Sequence, residues 1–408
     1  MAQITFSDLL SQEIKHDPYT FFGNLRAQSP LTYLTSFMNE QGAWIATNYD
    51  DAIEILKDLR FTKDRYKIYP PTQRQENADP ATSDASFFFW RRDMLSTDPP
   101  DHTRLRGLVS KAFTPRMIEQ LRPRIQQVAN DLIDEIETKG EMDLVREFAV
   151  PLPITIISEM LGIPREDRQQ FRNWTQTLLK GVTLPGQEQV MQAAGEAFID
   201  YIKTLVMTKR EDPGTDLVSE LIRVENQGDV LNEYELISTI WLLILAGHET
   251  TINLIGSGML ALLEHPEQMQ LLQQNPDLIA SAVEELLRYT TPISLSSQRW
   301  ATEDIVIHDQ LICKGQLVFI ALIAANADTQ HFTDPTALDI KRQVNKHLTF
   351  GKGIHICLGA PLARLEGQIA FRTLLQRLPQ LRLAREPEQL RWNSHPILRG
   401  LTSLPVEF

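Results

Sequence analysis

The chain of 408 residues has few cysteines and no excess of basic residues. Its two cysteines, Cys313 and Cys357, argue against a disulfide framework and leave room for a single functional thiol. There are 40 basic and 53 acidic residues, giving a formal net charge of −13. This balance argues against a general nucleic-acid-binding protein, which would present a basic face. It still allows a local basic patch for an acidic protein partner.

The sequence also lacks a long apolar run. The most apolar stretch, Leu236 to Gly247, contains Ser238 and Thr239 and ends at His248-Glu249. It is well short of the ~20 apolar residues that a membrane-spanning helix needs. The first eight residues have neither a basic segment nor an apolar core, so we expect no signal peptide. We therefore expect a soluble cytoplasmic protein that binds neither membrane nor nucleic acid.

The spacing of apolar residues predicts a mainly α-helical protein with small β-sheets near both ends, built as a single domain over residues 1–408. Helical periodicity dominates a core of about residues 100–290. Its clearest element runs from about Asn232 to Glu264 and would be about 50 Å long and buried on nearly every side. Further segments with helical spacing are 18–29, 49–58 and the residues after Cys357.

Shorter segments carry strand or loop signals. The N-terminal part, about residues 30–60, is predicted to be β-rich, with strands over 31–34 and 44–47. Short β-type runs also fall within 298–320 and 381–408. Residues 64–95 read as a long loop that ends in the aromatic run Phe87 to Trp90, and residues 326–349 as an irregular polar stretch.

The segment from Phe350 to Gly359 carries the clearest chemical signal. Gly351 and Gly353 allow unusual backbone angles and close approach of a flat ligand. Cys357 precedes a predicted helix, whose N-terminal N–H groups and dipole favour thiolate, the metal-binding form. Gly359 would let backbone donors reach the sulfur.

Two other interpretations of this segment stay open from spacing alone. The first is an inert, buried cysteine after a glycine turn. The second is a zinc site made by His347, His355 and Cys357, although a second close ligand pair is missing.

The segment reads Phe-Gly-Lys-Gly-Ile-His-Ile-Cys-Leu-Gly and resembles the haem-binding signature of the cytochrome P450 family. Three further motifs follow the same order, so the resemblance covers roughly residues 97–405, and the soluble bacterial type is most similar. It implies a fold in which the long helix and the cysteine loop sandwich haem b. It also implies that Cys357 binds the iron, within a loop formed by Phe350, Gly351, Gly353 and Gly359.

The long helix contains Ala246-Gly247-His248-Glu249-Thr250-Thr251, which resembles the family's oxygen-binding motif. Gly247 would remove bulk beside the helix, and Thr250 would bond back to a carbonyl one turn earlier and loosen it. The resemblance assigns Thr250 to oxygen activation, Glu249 to proton relay, and Ala246 and Gly247 to the haem surface. Alone, this stretch would indicate only a polar break in a buried helix.

Four side chains match family positions that bind the haem propionates. His102 and Arg106 lie one turn apart on a predicted helix, and Arg would make the stronger, charge-assisted bond. Arg299 and His355 would form the second clamp. For each residue taken alone, a surface role is the default.

A structural motif completes the resemblance. Glu285 and Arg288 lie three apart on one helix face, as in the family's Glu-x-x-Arg motif, and Arg342 is the predicted third member. One departure stands at Ala325-Asn326-Ala327-Asp328, where the family often has arginine in place of Ala327. An expected basic contact is therefore missing, and we expect only a small local effect.

The implied activity is a monooxygenase reaction. One atom of dioxygen enters a C–H bond or alkene of a hydrophobic small molecule, and the other leaves as water. No flavin or iron–sulfur signature is visible, so a ferredoxin or flavodoxin with its reductase should supply electrons. We expect it to dock on a basic patch containing Arg104, Lys111, Lys352 and Arg364.

Two alternative functions and the substrate stay open. A peroxide-driven haem-thiolate peroxygenase would need no reductase, and a non-catalytic haem-binding or sensor protein would not turn over. The segments expected to line the substrate pocket are mainly apolar, which favours a hydrophobic substrate. They are residues 87–90, 182–190, 241–246, 293–297 and 396–397.

Overall fold

The computed structural model describes residues 5–37, 41–68, 93–181, 187–225 and 231–408. The chain divides into two compact units. The first comprises residues 1–61, 121–153 and 249–408, and the second comprises 62–120 and 154–248. Each unit is built from separate stretches of the sequence. The single domain over residues 1–408 stays a prediction.

Helices make up most of the described residues, as the apolar spacing predicts. The α-helices are α1 (Phe6–Leu10), α2 (Gln12–His16), α3 (Pro18–Gln28), α4 (Tyr49–Lys57), α5 (Asp101–Ala112), α6 (Pro115–Gln120), α7 (Arg122–Asp134), α8 (Pro151–Met160), α9 (Arg168–Gly181), α10 (Glu188–Glu211), α11 (Leu217–Glu225), α12 (Glu233–Glu264), α13 (Pro266–Gln274), α14 (Ile279–Thr290), α15 (Leu322–Ala325) and α16 (Ala360–Arg377). A π-helical turn spans Val145–Ala149. The predicted long helix is α12, and α3, α4 and α16 also lie where expected. None of the described helices is long and apolar enough to cross a bilayer.

The strands form small sheets near both ends of the chain. They are β1 (Leu31–Phe37), β2 (Gln41–Ala46), β3 (Phe61–Thr62), β4 (Glu141–Asp143), β5 (Arg299–Ala301), β6 (Ile305–Ile307), β7 (Gln310–Ile312), β8 (Leu317–Ile320), β9 (Arg382–Leu383) and β10 (Pro405–Glu407). One sheet has the order β1-β2-β8-β5-β3, a second has β4-β10-β9, and β6 pairs with β7. The parallel pairing of β2 with β8 joins the two ends of the sequence.

The larger sheet separates two apolar clusters because successive side chains of a strand point to opposite faces. On β2, Ala43 and Ile45 belong to a cluster with Phe22 of α3. Trp44 lies on the other face, in a cluster with Ile55 of α4. The sheet is therefore covered by a helix on each side.

The C-terminal tail is fastened to α2 by side-chain bonds. Gln12 exchanges two hydrogen bonds with the backbone of Trp392, at 3.0 and 2.9 Å. Lys15 Nζ donates to the carbonyls of His395 and Leu398, at 2.5 and 2.6 Å. Burial, and then repulsion from Arg399, lowers the pKa of Lys15 to about 7. These contacts fix the turn that carries residues 396–397.

Helices α12 and α16 approach closely at two glycines of the first unit. A Cβ on Gly258 would lie 2.6 Å from Phe371 Cζ, and a Cβ on Gly367 would lie 3.2 Å from Leu254 Cδ2. Small residues at such crossings let helix backbones pack tightly, so a methyl group at Gly258 would overpack the contact.

We predict that Gly258→Ala lowers the free energy of unfolding by about 1–3 kcal/mol. Gly23→Ala in α3 is the matched control, because its added Cβ meets no atom within 4 Å. That control should be neutral or stabilising by up to about 1 kcal/mol. Urea unfolding of both variants makes the comparison, and equal stability of the two would contradict this packing argument.

Candidate functional site

A buried ion network contacts the residues that precede the cysteine segment. The side chains of Glu285 and Arg288 on α14 are both 0% exposed, and Arg288 Nε and Nη2 donate to Glu285 at 2.8 Å each. Arg342 Nε donates to both carboxylate oxygens at 3.1 Å. Asn345 Nδ2 and the Asp339 N–H add bonds of 2.9 and 3.0 Å. The prediction that Arg342 completes the motif is confirmed.

The network continues into the residues that precede the cysteine loop. Arg288 Nη1 donates to the carbonyl of Asn326 at 3.0 Å. The buried Asn326 side chain accepts the Leu348 N–H at 2.7 Å and donates to Thr349 Oγ1 at 2.9 Å. Thr349 Oγ1 in turn donates to the Leu287 carbonyl at 2.8 Å. An irregular stretch is thus held in one conformation by polar side chains.

The missing arginine at position 327 has a structural counterpart. Arg26 of α3 donates from Nη1 to the Ala324 carbonyl at 2.8 Å and from Nη2 to the Ala327 carbonyl at 3.0 Å. A basic side chain therefore contacts this segment, although it comes from the N-terminal part of the chain. The sequence pattern did not identify Arg26.

The cysteine loop is closed by its own backbone. The Cys357 N–H donates to the Phe350 carbonyl at 2.9 Å, and the Gly351 N–H donates to the Leu348 carbonyl at 2.8 Å. Gly351 and Gly353 have φ angles of 70° and 76°, in the left-handed region that favours glycine. A Cβ on Gly353 would also lie 2.7 Å from the Leu56 carbonyl oxygen. The unusual backbone angles predicted for Gly351 and Gly353 are confirmed, whereas the close approach of a flat ligand stays a prediction.

The surroundings of the Cys357 thiol fit haem. The thiol is exposed, and the neighbouring Ile354 and Ile356 are 39% and 43% exposed. A Cβ on Gly359 would make an ordinary van der Waals contact with Cys357 Sγ, at 3.9 Å, so glycine leaves somewhat more room beside the sulfur. A thiolate donor among exposed apolar side chains suits a flat, apolar group that contains iron.

The zinc alternative has no support from the geometry. His347, one of its three ligands, bonds through Nε2 to Glu284 at 3.2 Å. Across residues 5–37, 41–68, 93–181, 187–225 and 231–408, no group of three or more His, Cys, Asp or Glu residues is placed to hold a metal ion.

The two residues of the first unit that are predicted to bind a haem propionate lie on short elements. Arg299 is buried on β5, and its Nη1 donates to the Phe61 carbonyl at 3.4 Å. His355 is half-buried and ends the 3₁₀ turn Gly353–His355. Their binding of a propionate stays a prediction.

The second unit carries the other predicted propionate pair. His102 and Arg106 lie one turn apart on α5, where His102 is buried and Arg106 half-buried. Leu105, Leu108 and Val109 form the buried stripe of the same helix. The spacing therefore places both side chains near one face of a well-anchored helix, as the sequence predicts.

The oxygen motif lies within the continuous helix α12, and part of it belongs to the second unit. Ala246 is exposed and Gly247 half-buried, whereas Ile244 and Leu245 just before them are buried. His248 is 1% exposed, and its Nδ1 donates to the Ile244 carbonyl at 2.8 Å. A Cβ on Gly247 would lie 3.1 Å from Ile157 Cδ1, so this glycine also permits close packing against α8.

Helix α12 stays continuous through the motif. The bond from buried His248 to the Ile244 carbonyl was not predicted from the sequence. The bond from Thr250 to a carbonyl one turn earlier stays a prediction.

The first unit holds the rest of the motif and a buried acid that the sequence interpretation missed. Glu249 and Thr250 are half-buried, and Thr251 is buried and hydrogen-bonded to Glu366 of α16. Desolvation raises the pKa of Glu366 to about 8, although the Thr251 bond acts in the opposite direction. One available signal was an acid within the apolar stripe of α16, between Leu362 and Ile369.

Comparisons with known proteins agree with this site. The cytochrome P450 family model matches residues 12–390. Cytochrome P450 CYP107DY1 of Priestia megaterium is 53% identical over 100% of both chains. A solved structure of the polyketide synthase cytochrome P450 PksS of Bacillus subtilis has a TM-score of 0.91 and 43% identity over 98% of each chain. The structure of myxobacterial CYP267B1 with myristic acid has a TM-score of 0.91 and 43% identity over 99% of each chain.

The chain belongs to the cytochrome P450 family. It is a cytochrome P450 monooxygenase of the bacterial type, with haem b as cofactor and dioxygen as co-substrate. The predicted fold class, mainly α with small β-sheets, is confirmed.

We predict that Glu366→Gln changes how stability depends on pH. The pKa of Glu366 is about 8 in the folded protein, against an ordinary value of 4.5. Its stabilising contribution is therefore fully present below pH 4.5 and is lost as the pH rises through 8. Glutamine does not ionise. Between pH 4.5 and 8, the free energy of unfolding of the variant should therefore rise relative to that of the wild type by up to about 1.4 kcal/mol per pH unit.

Urea unfolding at several pH values between 4.5 and 9 measures this difference. Glu267→Gln, at an exposed position on α13, is the matched control and should follow the wild type. A constant difference between Glu366→Gln and wild type at every pH would contradict the raised pKa.

Proposed function

We propose that Cys357 binds the haem iron as a thiolate and that Phe350, Gly351, Gly353 and Gly359 form the loop around it. The observation that carries this proposal is the exposed thiol at the end of a loop closed by the Phe350–Cys357 backbone bond. Bound there, haem supplies the activation of dioxygen, which the thiolate promotes by donating electron density. The protein holds the sulfur in place and keeps its surroundings apolar.

Four basic residues are assigned to the haem propionates on the basis of their charge and position. His102 and Arg106 would hold one propionate, and Arg299 and His355 the other. A carboxylate gains most from arginine, which offers charge-assisted bonds from a planar fork. Arg299 supports this role because it is buried on a short strand that fixes its direction.

Proton delivery is assigned to the half-buried pair Glu249 and Thr250. Glu249 would take protons from solvent, and Thr250 would donate a hydrogen bond to the reacting oxygen. Ala246 and Gly247 lie one turn earlier on the same helix, and we propose that they line the haem surface. Their small side chains leave space beside the helix.

We predict that Thr250→Ala lowers the yield of oxygenated product per reductant consumed by about tenfold or more. The lost hydroxyl can no longer guide protons, so reductant is spent on hydrogen peroxide instead. Thr239→Ala is the control. Thr239 is buried in the same helix, and its hydroxyl has no partner among the described residues. Unchanged coupling in Thr250→Ala would contradict the assignment.

The same preparation separates the alternative functions. Strong turnover with hydrogen peroxide and no reductase would favour a peroxygenase. Iron that redox partners never reduce, even with ligands that shift its spin state, would favour a non-catalytic haem-binding or sensor protein. The motif Glu249-Thr250 supports the monooxygenase, because it offers the acid and alcohol that reductive oxygen activation uses.

Bacterial P450s receive electrons from a redox partner, and we propose a ferredoxin or flavodoxin with its reductase here. Ion pairs within the protein reduce the number of basic residues that can contribute to the expected docking patch. Arg104 pairs with buried Glu235, and Arg364 makes two bonds to Glu284, so both charges are already compensated. Lys111 and Lys352 are exposed, and Lys352 lies within the cysteine loop. We propose that Lys352 is a docking charge.

We predict that Lys352→Glu slows electron transfer from an acidic ferredoxin by roughly tenfold at low salt, with the difference shrinking as ionic strength rises. Lys341→Glu, at another exposed lysine, is the control for net charge. Stopped-flow reduction of the iron gives the rates. Equal slowing in both variants would show a general charge effect without local docking.

We propose that the substrate is a hydrophobic small molecule. Residues 294–296 are buried, and residues 396–397 are held by the tail contacts of α2. Residues 87–90 and 182–186 lie outside the described residues. The similar protein PksS is named for polyketide biosynthesis, and CYP267B1 was solved with myristic acid. Both ligand classes suit an apolar pocket.

The cytoplasmic location of the protein stays a prediction from the sequence.

A further inference from the structure

The ring of Phe350, the first residue of the cysteine loop, has two polar neighbours. The Arg364 guanidinium carbon lies 4.5 Å from the ring centroid. The His347 imidazole lies 5.8 Å from the same ring, centroid to centroid, at an interplanar angle of 49°. Arg364 lies on α16 after the cysteine, and His347 precedes the loop. The two side chains thus approach Phe350 from both flanks of the cysteine segment.

Glu284 of α14 binds both neighbours. Its carboxylate accepts bonds from Arg364 Nε and Nη2 at 2.6 and 2.9 Å, and a bond from His347 Nε2 at 3.2 Å. His347 Nδ1 accepts the Thr349 N–H at 3.3 Å, so Nε2 is the nitrogen that carries the proton toward Glu284.

The carboxylate is held in its charged form. Burial alone would raise the pKa of Glu284, but the bonds from His347 and Arg364 outweigh it and lower the pKa to about 2. One acceptor therefore fixes a cation and an imidazole against the same ring. Two bonds to a planar guanidinium also fix its orientation, which a single contact would not.

Phe350 connects this cluster to the proposed iron ligand. Its carbonyl accepts the Cys357 N–H at 2.9 Å. Glu285, the neighbour of Glu284, supports the backbone up to Thr349 through Arg288 and Asn326. The residues bound by Glu284 contact Phe350, the next residue after Thr349. Two consecutive acids of α14 therefore serve two different parts of the cysteine segment.

We propose that Glu284 is a positioning residue of the haem site, which fixes Phe350 through Arg364 and His347 and thereby sets the Cys357 backbone. This inference rests on the proposed function, in which Cys357 binds the haem iron. It assigns Glu284 a role outside the Glu-x-x-Arg motif. The opposing possibility is a half-exposed ion pair of little consequence, since the Arg364 side chain keeps 37% exposure.

The test compares Glu284→Gln, Arg364→Gln and the double variant as purified holoenzymes. The readouts are the reduced carbon monoxide spectrum, the reduction potential and the rate of haem transfer to excess apomyoglobin. We expect each single variant to lose haem about tenfold faster, as when support of a metal ligand is removed. We also expect a shifted potential and a larger fraction without the thiolate-type band. The double variant should add little to either single variant.

Glu137→Gln is the matched control, because Glu137 accepts a bond from Arg377 at the far end of the same helix α16. It should match the wild type in all three readouts. Wild-type spectra and potential in Glu284→Gln, or losses that simply add in the double variant, would overturn the proposal. A wild type without the thiolate-type band would instead overturn the proposed function itself.

Discussion

The cysteine segment depends on the buried ion network of Glu285, Arg288 and Arg342. Two arginines share one carboxylate there, and both also donate to backbone carbonyls of the irregular stretch that follows α15. Burying these charges is costly unless every group is bonded, and removing one partner typically costs about 3–5 kcal/mol. The network thus gives a long stretch without helix or strand a defined backbone.

Helix α16 then connects the thiol with the oxygen motif inside the first unit. Cys357 lies just before the helix, and Glu366 on its second turn bonds to Thr251 beside Thr250. Glycines at the crossing with α12 bring the two backbones close together. Any shift of α16 would therefore move both the backbone next to Cys357 and the bond from Glu366 to the oxygen motif.

Much of this arrangement was predictable because it follows from local spacing. Apolar periodicity located α12 and α16, and the resemblance to the family's Glu-x-x-Arg motif indicated Arg342 as the partner of Glu285. Arg26 and Glu284 were not predicted, because their roles depend on tertiary contacts that no local pattern encodes. Glu366 was missed although it is an acid within the apolar stripe of α16. β4 was missed since a three-residue strand leaves no periodic signal. The bond from His248 to the Ile244 carbonyl was missed because hydroxyl side chains are the usual donors of such bonds within a helix.

The most direct test of the central claim, thiolate ligation of haem by Cys357, is the difference spectrum of the reduced protein with carbon monoxide. We expect a strongly red-shifted Soret band in the wild type and its loss in Cys357→Ala, because only a thiolate ligand donates enough electron density to shift it. A band typical of histidine ligation in the wild type, or an unchanged band in Cys357→Ala, would contradict the assignment.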